Sequence, residues 1–389
     1  MPTINRFADL HDAITEWRRD IHQHPELLFD VHRTAGVVEE KLREFGVDEI
    51  KTGIGRTGVV GVIRGKTNNS GRVIGMRADM DALPMDETTG AAHASQTPGK
   101  MHACGHDGHT AMLLGAAQYL AETRNFDGTA VVIFQPAEEG GGGGKEMVDD
   151  GMMEEFGVDE VYGMHNMPGF PVGQFAIRKG PLMAAADVFT ITISGKGGHA
   201  AMPHLANDPT LAAAHVVTAM QSIVARNLDP LESLVVSVTS LQSETNAYNV
   251  IADSAVLKGT VRSYKADVQD MAEARITEIA ENVAKGMGCE TTVDYKRGYP
   301  ATVNHEDHTD FAIDVAKDVA GEQNVIPDTA PVMGAEDFSF MLNARPGAFI
   351  FIGNGDSAPV HNPNYDFNDE IIPLGCSYWA KLVETRMPA

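Results

Sequence analysis

Three short apolar runs, 73–76, 130–134 and 161–164, each give way at once to polar residues. These are Arg77-Ala78-Asp79-Met80-Asp81, Gln135-Pro136-Ala137-Glu138-Glu139 and His165-Asn166. Brief apolar runs bounded by polar or turn residues read as buried strands. With a further run at 59–63 they alternate with longer amphipathic stretches over residues 1–181, the pattern of helices packed on a largely parallel sheet. In open α/β sheets ligands bind outside the carboxyl ends of the strands. Ionisable groups placed there repeatedly point to one shared site.

The pattern changes between 183 and 296. Strand-like runs at 187–194, 234–241, 255–262 and 290–295 are interleaved with helical stretches at 208–227 and 268–286. That order, βαββαβ, is the split βαβ or ferredoxin-like unit. The α/β character then returns, with a helix at 310–320 and a strand at 348–352 ahead of His361. The expected fold class is therefore α/β. One domain, 1–182 with 297–389, carries a largely parallel sheet flanked by helices, and a ferredoxin-like domain is inserted at 183–296. A chain of 389 residues suits two domains, because single cores stop growing near ~250–300 residues.

Lys and Arg number 30 against 54 Asp and Glu, a formal charge of −24. A field of that sign repels phosphate backbones and anionic lipid, so neither nucleic acid nor a membrane surface is an expected partner. Cys104, Cys289 and Cys376 have no disulfide spacing, and the polar N-terminus has no signal-peptide core. No apolar run approaches the ~18 residues that span a bilayer. A soluble, cytoplasmic protein is expected.

In MHACGHDGHT, residues 101–110, Cys104 and His106 flank Gly105. From a tight loop a thiolate and an imidazole can address one ion. A helix expected at 110–123 starts just beyond, and a helix N-terminus favours the thiolate. A structural zinc site needs four ligands at paired spacings, and Cys289 and Cys376 are isolated. A redox motif needs a second nearby cysteine, and flanking imidazoles resemble a ligand cluster more than a nucleophile with its base.

Glu138 and Glu139 are neighbours in extended chain and point opposite ways, so one can bind metal while the other faces substrate and water. Alone, such a pair is more often a solvated acidic turn. Asp79 and Asp81 face one side, placed to bind an ion or to accept the N–H of a ligating imidazole; turn capping is their plainer use. His165 and His361 are weak signals singly. With Cys104, His106 and one glutamate they make five ligands, too many for one structural zinc and suited to two ions sharing a bridge. The run EEGGGGGK lacks a P-loop signature and reads as a flexible turn into a helix near 145–156. His199 is either a polar contact to substrate or a loop histidine.

RADMDALP, MHACGHDGHT, QPAEEG, GMHN, GKGGHAAMPH and HNP, in that order, resemble the M20 metallopeptidase superfamily. More narrowly they are similar to its amidohydrolase branch of hippurate hydrolases, N-acyl-amino-acid amidohydrolases and plant auxin-conjugate hydrolases. Most other branches carry a bridging aspartate where this chain has Cys-Gly-His. The resemblance implies Cys104, His106, Glu139, His165 and His361 as metal ligands, and Glu138 as general base. It implies that His199, in a lid and dimerisation domain, helps hold the scissile carbonyl, often across a subunit boundary. Asn249 and Arg262 match positions that contact substrate. Asp79 stands where other branches have a metal-binding histidine, so Asp79 and Asp81 are read as groups supporting the ligands. Relatives often have proline where Ala252 stands, a departure that bears on loop rigidity only.

The implied reaction is hydrolysis of the amide of an N-acyl amino acid, assisted by two divalent ions per subunit in a homodimer or homotetramer. The thiolate leans towards zinc, the branch resemblance towards manganese, and nickel or cobalt also suit the donor set. Within the superfamily the alternatives are a dipeptidase or an N-succinyl-amine desuccinylase. A metal-binding protein without catalysis would leave Glu138 without a task.

Overall fold

The computed structural model describes residues 4–389. Its contacts divide the chain into two compact units. The first takes residues up to Leu182 together with Val303–Ala330 and Asp337–Ala389; the second takes Met183–Thr302 and Pro331–Glu336. A domain boundary at 296 falls inside the strand Glu290–Tyr299. That strand stays paired with Ala185–Ser194 as far as Tyr299, opposite Ala186, so the second unit runs on past it.

The first unit is a mixed α/β structure around an eight-stranded sheet. Across the sheet the order is Glu49–Ile54, Gly58–Arg64, Thr129–Gln135, Val73–Asp79, Glu160–Pro168, Gly347–Gly355, Phe175–Ala176 and Val325–Ile326. From Thr129–Gln135 through Gly347–Gly355 neighbouring strands run parallel. The Glu49–Ile54 and Gly58–Arg64 edge is antiparallel. Central strands show no alternation: all seven residues of Thr129–Gln135 are buried except the first. This is the continuous apolar signature of strands covered on both faces.

The helix His106–Thr123 is buried on nearly every side, with Ala111, Met112, Leu113, Leu114, Ala116 and Ala117 all inaccessible. It packs against the helices Arg6–Gln23, His32–Glu44 and Ile372–Arg386 and against Val73–Asp79. An apolar surface all round a helix is what such central placement requires. Its glycine at 115 permits close approach, since a Cβ there would lie 2.5 Å from Ile14 Cδ1 and 2.8 Å from Cys376 Sγ.

The second unit has a four-stranded antiparallel sheet in the order Leu234–Ser243, Ser254–Ser263, Ala185–Ser194, Glu290–Tyr299. The helices Pro209–Met220 and Ala266–Gly286 complete the βαββαβ sequence. Buried and accessible residues alternate along Ala185–Ser194, and the inward Phe189, Ile191 and Ile193 join Leu257, Val261 and Ile276 in a separate core. Asp208 caps Pro209–Met220 by accepting from the N–H groups of Thr210 and Leu211. The helical stretch expected to reach 227 ends as an α-helix at Met220, and Ile223–Asn227 forms a π-turn. Among the described residues no helix is long and apolar enough to cross a membrane.

Candidate metal centre

The ionisable residues of the first unit converge where the parallel strands end. Asp79 is the last residue of Val73–Asp79, and Glu138 and Glu139 follow Thr129–Gln135 by three and four residues. The strand expected to stop at 164 continues to Pro168, so His165 lies within it, beside Phe351 of the neighbouring strand. His361 follows Gly347–Gly355 on a loop tied to the Cys104 segment, its N–H donating to Ala103 O at 2.7 Å.

The helix after Cys104 begins at His106 rather than at 110, which makes His106 its first residue. Gly105 turns the chain into that helix at φ 88°, and a Cβ on it would lie 2.3 Å from Asn166 Nδ2 and 2.5 Å from Tyr365 Oη. Only glycine satisfies both demands. Two non-glycine residues also sit at positive φ here, Ala137 at 55° and His361 at 62°. Such outliers concentrate where a site over-determines its backbone. The glycine run after Glu139 is more than a flexible turn: a helix starts inside it at Gly143, whose Cβ would lie 1.8 Å from Pro136 O.

Four overlapping groups that lie wholly within the first unit have ligand-type atoms within 4.8 Å of one another: Cys104, His106 and His165; Cys104, Glu139 and His361; His106, Glu138 and Glu139; Asp79, His106 and His109. Cys104 Sγ is 3.3 Å from His165 Nε2. His361 Nε2 is 3.3 Å from Glu139 Oε1, and His106 Nε2 is 4.0 Å from Glu138 Oε2. Asp81 organises both glutamates, since its carboxylate accepts from Glu138 N–H at 2.9 Å and Glu139 N–H at 3.1 Å. Its backbone carbonyl lies 2.7 Å from His106 Nδ1.

The electrostatics of the cluster follow from burial competing with these contacts. Burial holds His165 well below the usual imidazole range, leaving it neutral. His106 is lifted well above that range although burial opposes its charge, because Asp79 and Cys104 lie alongside. Cys104 is pushed up, first by burial and then by Glu139. Glu139 is lowered against the effect of burial, chiefly by His361, which Cys104 and Glu139 raise to about 10. Burial also opposes charge on Asp79, yet His106 and Arg77 hold it well below the carboxylate range.

His106 Nε2 is buried and makes no hydrogen bond. An unpartnered buried nitrogen is costly in a protein interior. Here it faces a sulfur, carboxylates and a second imidazole, the donor set of a divalent transition-metal site, so the residues present fit such ions.

In the second unit Gly198–His199 pairs with Val250–Ile251 and sets His199 opposite Val250, beside Asn249, whose carbonyl accepts from Ala200 N–H at 3.0 Å. His199 Nδ1 accepts from Ala201 N–H at 3.0 Å, which leaves the ring proton on Nε2. Arg262 stands apart from that ribbon, on Ser254–Ser263 opposite Val235 and Ala186. It is half-buried, and its hydrogen bonds run from one terminal nitrogen to Thr260 Oγ1 and Val261 O. Burial lowers its pKa.

Sequence reasoning missed a buried ionic hub beneath the cluster. Arg18, fully inaccessible, contacts Asp107 at 3.4 Å, Asp366 at 3.3 Å and Asp369 at 2.8 Å. His22 adds contacts to Asp107 at 2.8 Å and Glu87 at 3.3 Å. The hub joins the first helix to the residue after His106 and to the loop after His361. A signal was present: Phe7, Leu10, Ile14 and Ile21 mark the helix's buried stripe, and Arg18 falls on it.

The model of "Peptidase family M20/M25/M40" matches residues 75–385. Hippurate hydrolase of Campylobacter jejuni is 42% identical over 98% of both chains. IAA-amino acid hydrolase ILR1-like 5 of Arabidopsis thaliana is 40% identical over 98% of this chain and 88% of its own. The crystal structure of a Bacillus subtilis protein described as a dinuclear metal binding peptidase from the M20 family superposes with a TM-score of 0.85. It has 33% identity and covers 98% of this chain and 99% of that one.

Proposed function

Because the chain belongs to peptidase family M20/M25/M40, we infer that it is a metal-dependent hydrolase of the amide bond in N-acyl amino acids, releasing a carboxylic acid and a free amino acid. The observation that carries this reading is Glu138, a buried carboxylate beside a cluster of ligand-type side chains, with its backbone and that of Glu139 held by one aspartate.

We assign Cys104, His106, Glu139, His165 and His361 to two divalent ions, manganese or zinc. Convergence of their donor atoms and the unpartnered His106 Nε2 support the assignment. Bound there, such ions lower the pKa of water from ~15.7 towards ~7 and polarise a carbonyl. Glu138 accepts the proton of the attacking water and delivers it to the leaving amine. His199, with its proton on Nε2, donates to the developing oxyanion, a contribution worth about 10²–10³ in rate for one such donor. Arg262, with guanidinium donors not committed to a carboxylate, receives the carboxylate of the amino acid, assisted by Asn249. Asp81 orients His106 through its carbonyl and Glu138 and Glu139 through its carboxylate, and Asp79 supports the cluster from beside His106, 3.7 Å from its Nε2.

In this reading the first unit is the catalytic domain, and the second is a lid that also carries the contacts of a homodimer or homotetramer. A cytoplasmic location accords with three buried cysteines that form no disulfide.

The test is a hydrolysis screen with the chelated protein reloaded with manganese, zinc, cobalt or nickel. Hippurate, N-acetyl and longer N-acyl amino acids are compared with dipeptides and N-succinyl amines. Turnover of the N-acyl amino acids above the other two classes is expected, and preference for dipeptides or succinylated amines would overturn the substrate assignment.

A further inference from the structure

Three buried imidazoles crowd this cluster, and their hydrogen bonds separate them. His106 places Nδ1 2.7 Å from Asp81 O, and His109 places Nδ1 2.7 Å from Asp79 Oδ1. His165 places Nδ1 on Asn166 O. Each ring therefore directs Nδ1 at an oxygen, and the three differ at Nε2. That of His106 makes no hydrogen bond, and that of His165 faces Cys104 Sγ at 3.3 Å. His109 Nε2 accepts the backbone N–H of Asn166 at 2.9 Å. A backbone N–H can only donate, so the lone pair of His109 Nε2 is committed and its proton sits on Nδ1. His109, though near Asp79 and His106, has no nitrogen to offer an ion.

Every polar group of Asn166 is used on this cluster. Its N–H serves His109 and its carbonyl serves His165. Its side-chain Nδ2 donates to Cys104 O at 2.7 Å, and Tyr365 Oη donates to its Oδ1 at 2.7 Å. Cys104 O can only accept, which fixes the orientation of the amide. Asn166 and Tyr365 are both fully inaccessible, and the Gly105 turn packs directly on the pair. His109 also lies edge-on against the His165 ring, centroids 4.5 Å apart.

We propose that Asn166 is the positioning residue of the metal centre. It sets the tautomer and direction of the His165 ring and the seat of the Cys104 loop, and Tyr365 and His109 act through it. The proposal rests on Cys104 and His165 being ligands. Partners of this kind around metal ligands typically change affinity about 10–100-fold when removed.

The experiment uses the full-length protein, chelated and titrated with Co2+, reading affinity calorimetrically and the thiolate-to-cobalt absorption in the near-ultraviolet. Tyr365→Phe removes one hydroxyl and leaves Asn166 Oδ1 without its donor. Tyr162→Phe is the control: it removes an equally buried hydroxyl, bonded to Glu160 at 2.8 Å at the opposite end of the His165 strand. Tyr365→Phe is expected to bind Co2+ at least about tenfold more weakly and to alter the thiolate absorption, whereas Tyr162→Phe should leave both unchanged. Wild-type affinity and spectrum in Tyr365→Phe would overturn the proposal, as would equal changes in both variants. His109→Gln is expected to keep the wild-type number of ions at saturation; loss of one ion would make His109 a ligand and refute its assigned part. Absence of Co2+ binding in the wild type, or an unchanged spectrum in Cys104→Ala, would refute the metal-centre reading itself, a result distinct from failure of the Asn166 role alone.

Discussion

His22 offers a sharp test of the ionic hub, because its charge is bound to the fold. Burial works against an imidazolium there, but Asp107 and Glu87 outweigh it and push the pKa from 6.5 up to about 9. The folded state thus keeps a proton that the unfolded chain releases above its own, lower pKa. The resulting stability is fully present below pH 6.5 and is lost as the pH rises through about 9. The rise of about 2.5 units corresponds to about 3 kcal/mol, at about 1.4 kcal/mol per unit. His22 is inaccessible, so solvent screening removes little of that figure. The depressed pKa of Asp107 reports the same contact and is not added.

Both tryptophans of the chain, Trp17 and Trp379, lie in the first unit, and Trp17 shares the helix of His22. Urea unfolding of wild type and His22→Gln, followed by their fluorescence in chelator between about pH 6 and about pH 10, isolates the effect. Groups that titrate in both proteins cancel in the difference. The stability gap should be largest at the acid end and shrink by about 3 kcal/mol by the alkaline end. A gap that stays constant with pH would refute the argument.

Glu138→Gln should retain the wild-type metal content by elemental analysis while turnover falls by about 10²–10⁴-fold; activity within a few-fold of wild type would remove Glu138 as the base. Gly105→Ala adds a left-handed penalty of about 1–2 kcal/mol to a clash with Asn166 and Tyr365. Its melting temperature and metal affinity should therefore both fall well below those of Gly151→Ala, where φ is 84° and a Cβ meets nothing within 4 Å. Equal effects of the two substitutions would show that the clash is relieved at no cost. Arg262→Ala should raise KM about tenfold or more for an N-acyl amino acid and leave its uncharged amide analogue little affected; equal losses on both would exclude a carboxylate contact.

Much of this protein is written locally. Apolar runs of strand length, each ending in Asp, Glu or His, specify buried strands and the end of the sheet where chemistry gathers, because side-chain periodicity and burial are properties of a few consecutive residues. The βαββαβ order of the second unit is likewise carried by its own segments. Pairings between distant segments are not local. Tyr365 meets Asn166 across 199 positions, and Arg18 meets Asp369 across 351. The first pair meets because the sheet sets Gly347–Gly355, which leads to the Tyr365 loop, beside Glu160–Pro168 rather than in chain order. Of the histidines at 106, 109 and 165, the motif resemblance singles out 106 and 165 as ligands and leaves 109 as a group that supports the site or starts the helix. Tertiary structure alone decides that two keep Nε2 directed into the cluster while the third spends it on a backbone N–H, because a hydrogen bond needs a partner within about 3 Å.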